Sequence, residues 1–287
     1  MTMLLHPDTQ ELLEQFVTKP THAVLLVAPS GAGKRTLARH LAAQLLQTTG
    51  ERLDSHPYFK LLASAEGKAI SIESVRDVTH FLALRTTSEA PVTRIIMIDN
   101  AGLMTHQAQN ALLKTIEEPP AGTVLILTAP NELDLLPTIR SRVQTLALRL
   151  PTTTDLRRYF VEAGYSESAI NRALMMSDGL PGLTQALLAD DDTHPLVAAA
   201  ARARDILQKP AFDRILLIDD LIKQKQQLLD TLFIMQRIAE INLQKPDSNI
   251  AALRRWHSVL AASHDAYAQI LASGQAKLVA LQFMLNI

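Results

Sequence analysis

The sequence predicts an α/β domain, a parallel sheet flanked by helices, followed by an all-α region; three observations carry that expectation. Up to about residue 148, short apolar runs alternate with longer amphipathic ones, the pattern of strands joined by crossover helices. A loop of phosphate-binding type, Ala28-Pro29-Ser30-Gly31-Ala32-Gly33-Lys34, lies between one such run and the next amphipathic segment. Beyond Pro151 the strand signals stop, and apolar residues recur at helical spacing nearly to the end.

Strands are predicted over Ala23 to Ala28, Tyr58 to Ala63, Arg94 to Ile98, Thr123 to Thr128 and Gln144 to Leu148. Each is too short for a helix and rich in Val, Ile or Leu. Helices are predicted from Lys34 to about Gln47, from Ile72 to Leu84, and from about Thr105 to Glu117, where Pro119-Pro120 ends the last. Residues 154 to about 189 read as three short helices broken at Gly164 and Gly179-Leu180-Pro181-Gly182. After the polar break Asp190 to Pro195 come long helices, roughly 196–208, 211–243 and 249–285, with interruptions such as Pro246 and Gly274. Leu217, Leu221, Leu228, Leu232, Met235 and Ile238 read as the core of that bundle. The expected domains are therefore 1–150, 151–190 and 191–287.

With 287 residues, 47% of them hydrophobic, the chain has ample material for two or three cores. No apolar run approaches the roughly 18 residues of a membrane span. The start Met1-Thr2-Met3-Leu4-Leu5 lacks the regions of a signal peptide, so a cytoplasmic location without membrane contact is expected. The absence of cysteine excludes disulfides and thiolate metal sites. The nine histidines are scattered without ligand spacing, and no metal site is expected. A net charge of −1 is not that of an autonomous nucleic-acid binder.

In the phosphate-loop pattern G-x-x-x-x-G-K-[ST], glycines let backbone N–H groups approach phosphate, the Lys meets the β/γ oxygens, and the hydroxyl holds Mg²⁺. Here Gly33 and Lys34 remain, with Gly31 within the loop, Ala28 replaces the first glycine, Arg35 replaces the hydroxyl residue, and Thr36 comes one position late. Arg35 offers Mg²⁺ no oxygen and places a positive charge where the metal would sit. Asp99, at the tip of the Arg94 to Ile98 strand, is the candidate metal-side carboxylate. The adjoining Asn100 cannot act as the base that activates water, and a lost general base typically removes about 10²–10⁴ in rate. Efficient hydrolysis by this chain is not expected.

Further along stand His56-Pro57, Ile72-Glu73-Ser74-Val75-Arg76, the segment Asn110 to Pro120, and Thr138-Ile139-Arg140-Ser141-Arg142. With Asp99, these stretches resemble the clamp-loader subunits of bacterial DNA polymerase III, an AAA+ family, and within it the delta-prime type rather than the gamma/tau motor type. Weaker similarity continues in Gly179 to Gly182 and in Ala276-Lys277-Leu278. The resemblance implies an AAA+ P-loop domain, a small helical lid and a C-terminal helical collar. It also implies that Arg142 projects into the nucleotide site of a neighbouring ATPase subunit, although Val143 stands where the family's Ser-Arg-Cys motif has Cys. Pro130 and Leu183 replace residues that sense nucleotide in motor subunits, with Thr128 and Asn131 close to the first of these positions. The four-cysteine zinc module is missing, leaving a short Thr48 to Ser55 connection, so no zinc is expected.

The implied partners are gamma/tau-like ATPase subunits, a delta-like clamp-opening subunit, the sliding clamp and, through the assembled complex, primer-template DNA. ATP or ADP would be held weakly or not at all by Gly31, Gly33, Lys34, Arg35, Thr36 and Asp99. Arg76, Arg85 and Lys68 are candidates for a surface facing DNA, against the simpler reading of a solvated helix face. Two other readings stay open from the sequence: an active AAA+ ATPase, and a stand-alone DNA-binding scaffold with a relict P-loop.

Overall fold

A computed structural model of the chain describes residues 4–64, 69–83, 90–191, 194–245, 249–271 and 274–287. It divides into two compact units, Met1–Thr152 and Thr153–Ile287. The first unit runs α1 (Pro7–Thr18), β1 (Ala23–Val27), α2 (Lys34–Leu45), β2 (Phe59–Leu62), α3 (Ile72–Leu82), β3 (Arg94–Ile98), α4 (His106–Glu117), β4 (Thr123–Ala129), α5 (Pro137–Arg140) and β5 (Gln144–Ala147). The five strands form one parallel sheet in the order β2-β3-β4-β1-β5. Each predicted strand is present, with ends that differ by no more than one residue.

The apolar strands alternate between two cores. In β1, Val24 and Leu26 face one cluster with Leu37, Leu41 and Phe16, while Ala23 and Leu25 face the other with Val75, Leu112 and Ile116. In β3, Ile95 and Met97 take the first side, and Ile96 and Ile98 the second. Burial on both faces is why these strands read as unbroken apolar runs rather than as an alternation.

Helix α1 has no counterpart among the predicted elements. Its signals are local: Pro7 at the first turn, His6 Nδ1 accepting from Asp8 N–H (3.2 Å), and buried Leu13 and Phe16. Thr9 fastens it to the end of the unit by exchanging hydrogen bonds with the Arg149 backbone, both 2.9 Å. At the far end of α3, Arg94 Nη1 donates to the Leu82 carbonyl (3.1 Å), satisfying a terminal acceptor of the helix. The predicted end at Leu84 lies outside the described residues. The short connection after α2 is pinned by Arg39, whose two Nη atoms each meet an Asp54 carboxylate oxygen at 2.7 Å.

The second unit is all helical: α6 (Thr153–Glu162), α7 (Glu167–Ser177), α8 (Pro181–Leu188), α9 (Pro195–Gln208), α10 (Ala211–Leu216), α11 (Ile218–Leu221), α12 (Lys225–Leu243), α13 (Ile250–Leu271) and α14 (Ala276–Asn286). The first three match the predicted short helices. The expected single helix over 211–243 is instead three pieces. Periodicity continues across the joints, but α10 and α11 pack on α14, whereas α12 packs on α9 and α13. One straight rod cannot serve both sets of neighbours, and the chain turns at Gln224, which is extended (φ −133°). The expected break at Gly274 is present; a Cβ there would stand 2.7 Å from the Gln269 carbonyl oxygen. The Pro246 break lies outside the described residues. Arg237 of α12 bridges Asp178, after α7, at 3.0 Å and Glu240 at 2.7 Å, so lid-like and bundle-like segments belong to one compact body.

Asp230, buried in α12, accepts from Gln226 Nε2 at 2.7 Å. Burial raises its pKa from 3.8 to about 6, against the lowering effects of that bond and of Arg202. The folded chain therefore holds this proton more tightly than the unfolded one, so its stabilising contribution is full below about pH 4 and is lost as pH rises to about 6. Asp230→Asn is expected to stabilise the fold at pH 8 by on the order of 2 kcal/mol and by almost nothing at pH 4. Paired thermal melts by circular dichroism check this; an equal effect at both pH values would disprove it.

Candidate functional site

Strand β1 lies between β4 and β5, and its C-terminal end delivers the chain into the loop that opens α2. Gly31 and Gly33 both have φ of 83°, a conformation that disfavours residues with a Cβ. Ala28, at the first-glycine position, has ordinary backbone geometry and is buried, so its methyl costs the loop no strain. The scaffold for a phosphate is thus intact. The side chains around it are engaged with one another. Lys34 Nζ donates to the carbonyls of Ala28 (2.6 Å) and Pro29 (2.9 Å). Burial lowers its pKa to about 8, although the carboxylates of Asp99 and Asp134 pull the other way.

Asp99 is held from two sides. Arg35 Nη1 stands 3.5 Å from Asp99 Oδ2, and the Thr128 hydroxyl donates to Asp99 Oδ1 at 2.9 Å. Thr128 Oγ1 in turn accepts from the Asn100 N–H at 2.8 Å. Asn100 has φ of 51°, the left-handed conformation asparagine tolerates. Asp99 is 19% exposed and Arg35 57% exposed, so the carboxylate sits inside the site with a solvated guanidinium over it. Mg²⁺ does not fit this donor set. The Asp99 carboxylate faces a tethered cation, and Thr36, on α2, is exposed one residue beyond the ligand position. Arg35→Thr is expected to create Mn²⁺ binding, readable by electron paramagnetic resonance, that the parent chain lacks; equal Mn²⁺ uptake by both would contradict this reading.

Arg142 lies elsewhere. It precedes β5, whose Gln144 pairs with Val24, while the P-loop follows Val27 at the other end of β1. Four residues of strand separate the two edges by roughly 13 Å, so Arg142 does not serve its own loop. Its Nε meets Glu117 Oε1 at 2.7 Å, and Nη1 donates to the Thr138 carbonyl (3.0 Å) and Ser141 Oγ (3.1 Å). The side chain is 41% exposed and lines an open groove of about 640 Å³ with His22, Ile116, Glu117, Val143 and Gln144.

The structure thus brings Gly31, Gly33, Lys34, Arg35 and Asp99 together, with Thr36 exposed in the first turn of α2, and leaves Arg142 apart from them. Asn131 caps the turn Glu132–Asp134, with its side chain accepting from Leu133 N–H (2.9 Å). Leu183 is buried in the second unit. Arg76 is exposed on α3, while Lys68 and Arg85 lie outside the described residues. Sequence reading passed over Gln109. Buried in α4, it accepts from Leu136 N–H (2.8 Å) and donates to the Met104 carbonyl (3.3 Å), tying the helix to the segment that leads to Arg142. The available signal was a glutamine in register with Leu112 and Ile116 on the apolar face. Among the described residues no group of three or more His, Asp and Glu could hold a metal ion. No described helix is long and apolar enough to cross a membrane.

Residues 6–152 match the family described as DNA polymerase III, delta subunit. The chain belongs to that family. Among its curated relatives, the DNA polymerase III subunit delta-prime of Pseudomonas aeruginosa is 36% identical over 183 residues, covering 58% of this chain and 55% of the relative. The delta-prime subunit of Escherichia coli is 32% identical over 208 residues, covering 66% of this chain and 61% of the relative. Within the family, then, the chain is delta-prime-like. The matched part of the chain spans 55% and 61% of the length of these two relatives, less than two thirds of each. A DNA polymerase III gamma subunit-related protein of Thermotoga maritima has the same fold, with a TM-score of 0.52, 19% identity, and coverage of 97% of this chain and 98% of that one.

Proposed function

We propose that this chain is the delta-prime-type subunit of a replicative clamp loader and acts on ATP held by a neighbour rather than by itself. The observation that carries the reading is the placement of Arg142. A solvated guanidinium, held in one orientation and turned away from its own P-loop, suits an arginine finger supplied in trans. Such a residue neutralises charge developing on a transferred γ-phosphate. The chain's own site supports the complementary half of the proposal. Arg35 over Asp99, Lys34 folded onto loop carbonyls and Asn100 in place of a base leave it deficient in ATP hydrolysis, with ATP or ADP bound weakly or not at all.

In this reading residues 1–150 are the AAA+ domain, 151–190 the lid and 191–287 the collar of a cytoplasmic hetero-oligomer. Its partners are gamma/tau-like ATPase subunits, a delta-like clamp-opening subunit, the sliding clamp and primer-template DNA. Reconstituting the chain with those subunits and measuring clamp- and DNA-stimulated ATP turnover tests the proposal, with Arg142→Ala as the decisive variant. Steady-state hydrolysis by the isolated chain, abolished by Lys34→Ala, would instead establish an active ATPase.

A further inference from the structure

We propose that Glu117 is the positioning residue of Arg142; this rests on the arginine-finger reading above. Three contacts fix the guanidinium: Glu117 Oε1 on Nε at 2.7 Å, and the Thr138 carbonyl and Ser141 Oγ on Nη1. Ser141 Oγ is itself held, donating to the same Thr138 carbonyl at 3.1 Å. Two contacts come from the short segment that carries Arg142, and they turn with it. Glu117 comes from α4 and is the contact that references the guanidinium to the body of the domain. The nearest approach of Glu117 is to Nε, and the hydrogen bonds to Thr138 and Ser141 both fall on Nη1. An anion entering the groove therefore meets a guanidinium whose orientation is set before it arrives. Preset orientation is what a group acting on a transition state requires.

The location of Glu117 strengthens the inference. It is the last residue of α4, where the helix dipole disfavours a carboxylate, so helix stability does not account for it. The other end of α4 is anchored by Gln109 to the backbone at Met104 and Leu136. The helix interior is anchored by Leu112 and Ile116, both fully buried. Glu117 thus stands at the tip of an immobilised rod. Both partners of the pair are partly solvated, with exposures of 41% and 46%, so the bond itself contributes little to folding. Its expected effect is on geometry.

The experiment compares Glu117→Gln, Glu117→Asp, Arg142→Ala and the Glu117→Gln/Arg142→Ala double variant in the reconstituted complex, reading kcat and KM for ATP separately. Glu117→Gln is expected to lower kcat about fivefold with KM and the melting temperature of the subunit unchanged. Glu117→Asp should recover part of the loss, and the double variant should be no slower than Arg142→Ala alone. Unchanged or raised kcat for Glu117→Gln, with Arg142→Ala strongly impaired, would overturn the positioning role and leave the finger intact. A double variant slower than Arg142→Ala would overturn it too, by showing that Glu117 acts on something else. Arg142→Ala with parental turnover would overturn both readings.

Discussion

Arg142→Ala should reduce the clamp- and DNA-stimulated ATP turnover of the reconstituted assembly by up to about 10³–10⁵ at the site that it serves, the range for an arginine supplied across an interface. If other sites in the ring keep their own fingers, the bulk loss is smaller, and single-turnover measurement isolates the affected site. The loss should fall on kcat, because the guanidinium matters most where charge develops in the transition state. Lys34→Ala in the same assembly should leave turnover essentially unchanged, since the Lys34 ammonium is spent on the Ala28 and Pro29 carbonyls of its own loop. The comparison discriminates sharply. Equal, negligible effects of both variants would remove the trans-acting role, and a larger effect of Lys34→Ala would make this chain the ATPase.

Leu112→Ala should destabilise the first unit by about 3 kcal/mol, within the roughly 2–5 kcal/mol found when a buried leucine is cut back. Leu112 is fully buried in α4 within the core formed by Leu25, Ile96, Ile98, Leu125 and Leu127. A close-packed interior relaxes only partly around the cavity, so both transfer energy and packing are lost. Urea unfolding followed by far-ultraviolet circular dichroism should show a lower midpoint at unchanged slope. Trp256 is the chain's one tryptophan and lies in α13, so its fluorescence follows the second unit separately. A change below about 1 kcal/mol would mean that α4 is not the rigid rod that the positioning of Arg142 requires.

The centre of the sheet was legible because β1, β3 and β4 are buried on both faces. Ala23 to Val27, Arg94 to Ile98 and Thr123 to Ala129 could be nothing longer than strands, and they left little room for misplaced ends. The loop at Gly31 and Gly33 was legible because only glycine takes a φ of 83° readily. Helix α1 is not among the predicted elements, although Pro7, Asp8, Leu13 and Phe16 carry its local signals. The division of 211–243 into three helices had no such local signal. Neither Gly nor Pro marks the joint at Gln224, and the choice of neighbours for each piece is made by packing.

The candidate site divides in the same manner. Residue types alone showed that Arg35 cannot ligate Mg²⁺ and that Asn100 cannot be a base, because each statement concerns the chemistry of one side chain, whereas the interest in Arg142 came from the resemblance of its segment to a family motif. Pairings required the folded chain. Arg35 over Asp99, Thr128 between Asp99 and the Asn100 N–H, and Glu117 on Arg142 each join residues 25 to 64 positions apart in sequence. A sequence states what each group can do and where the chain must bend. Which groups meet depends on the sheet order β2-β3-β4-β1-β5 and on the packing of α4, where burial of distant apolar residues sets the distances.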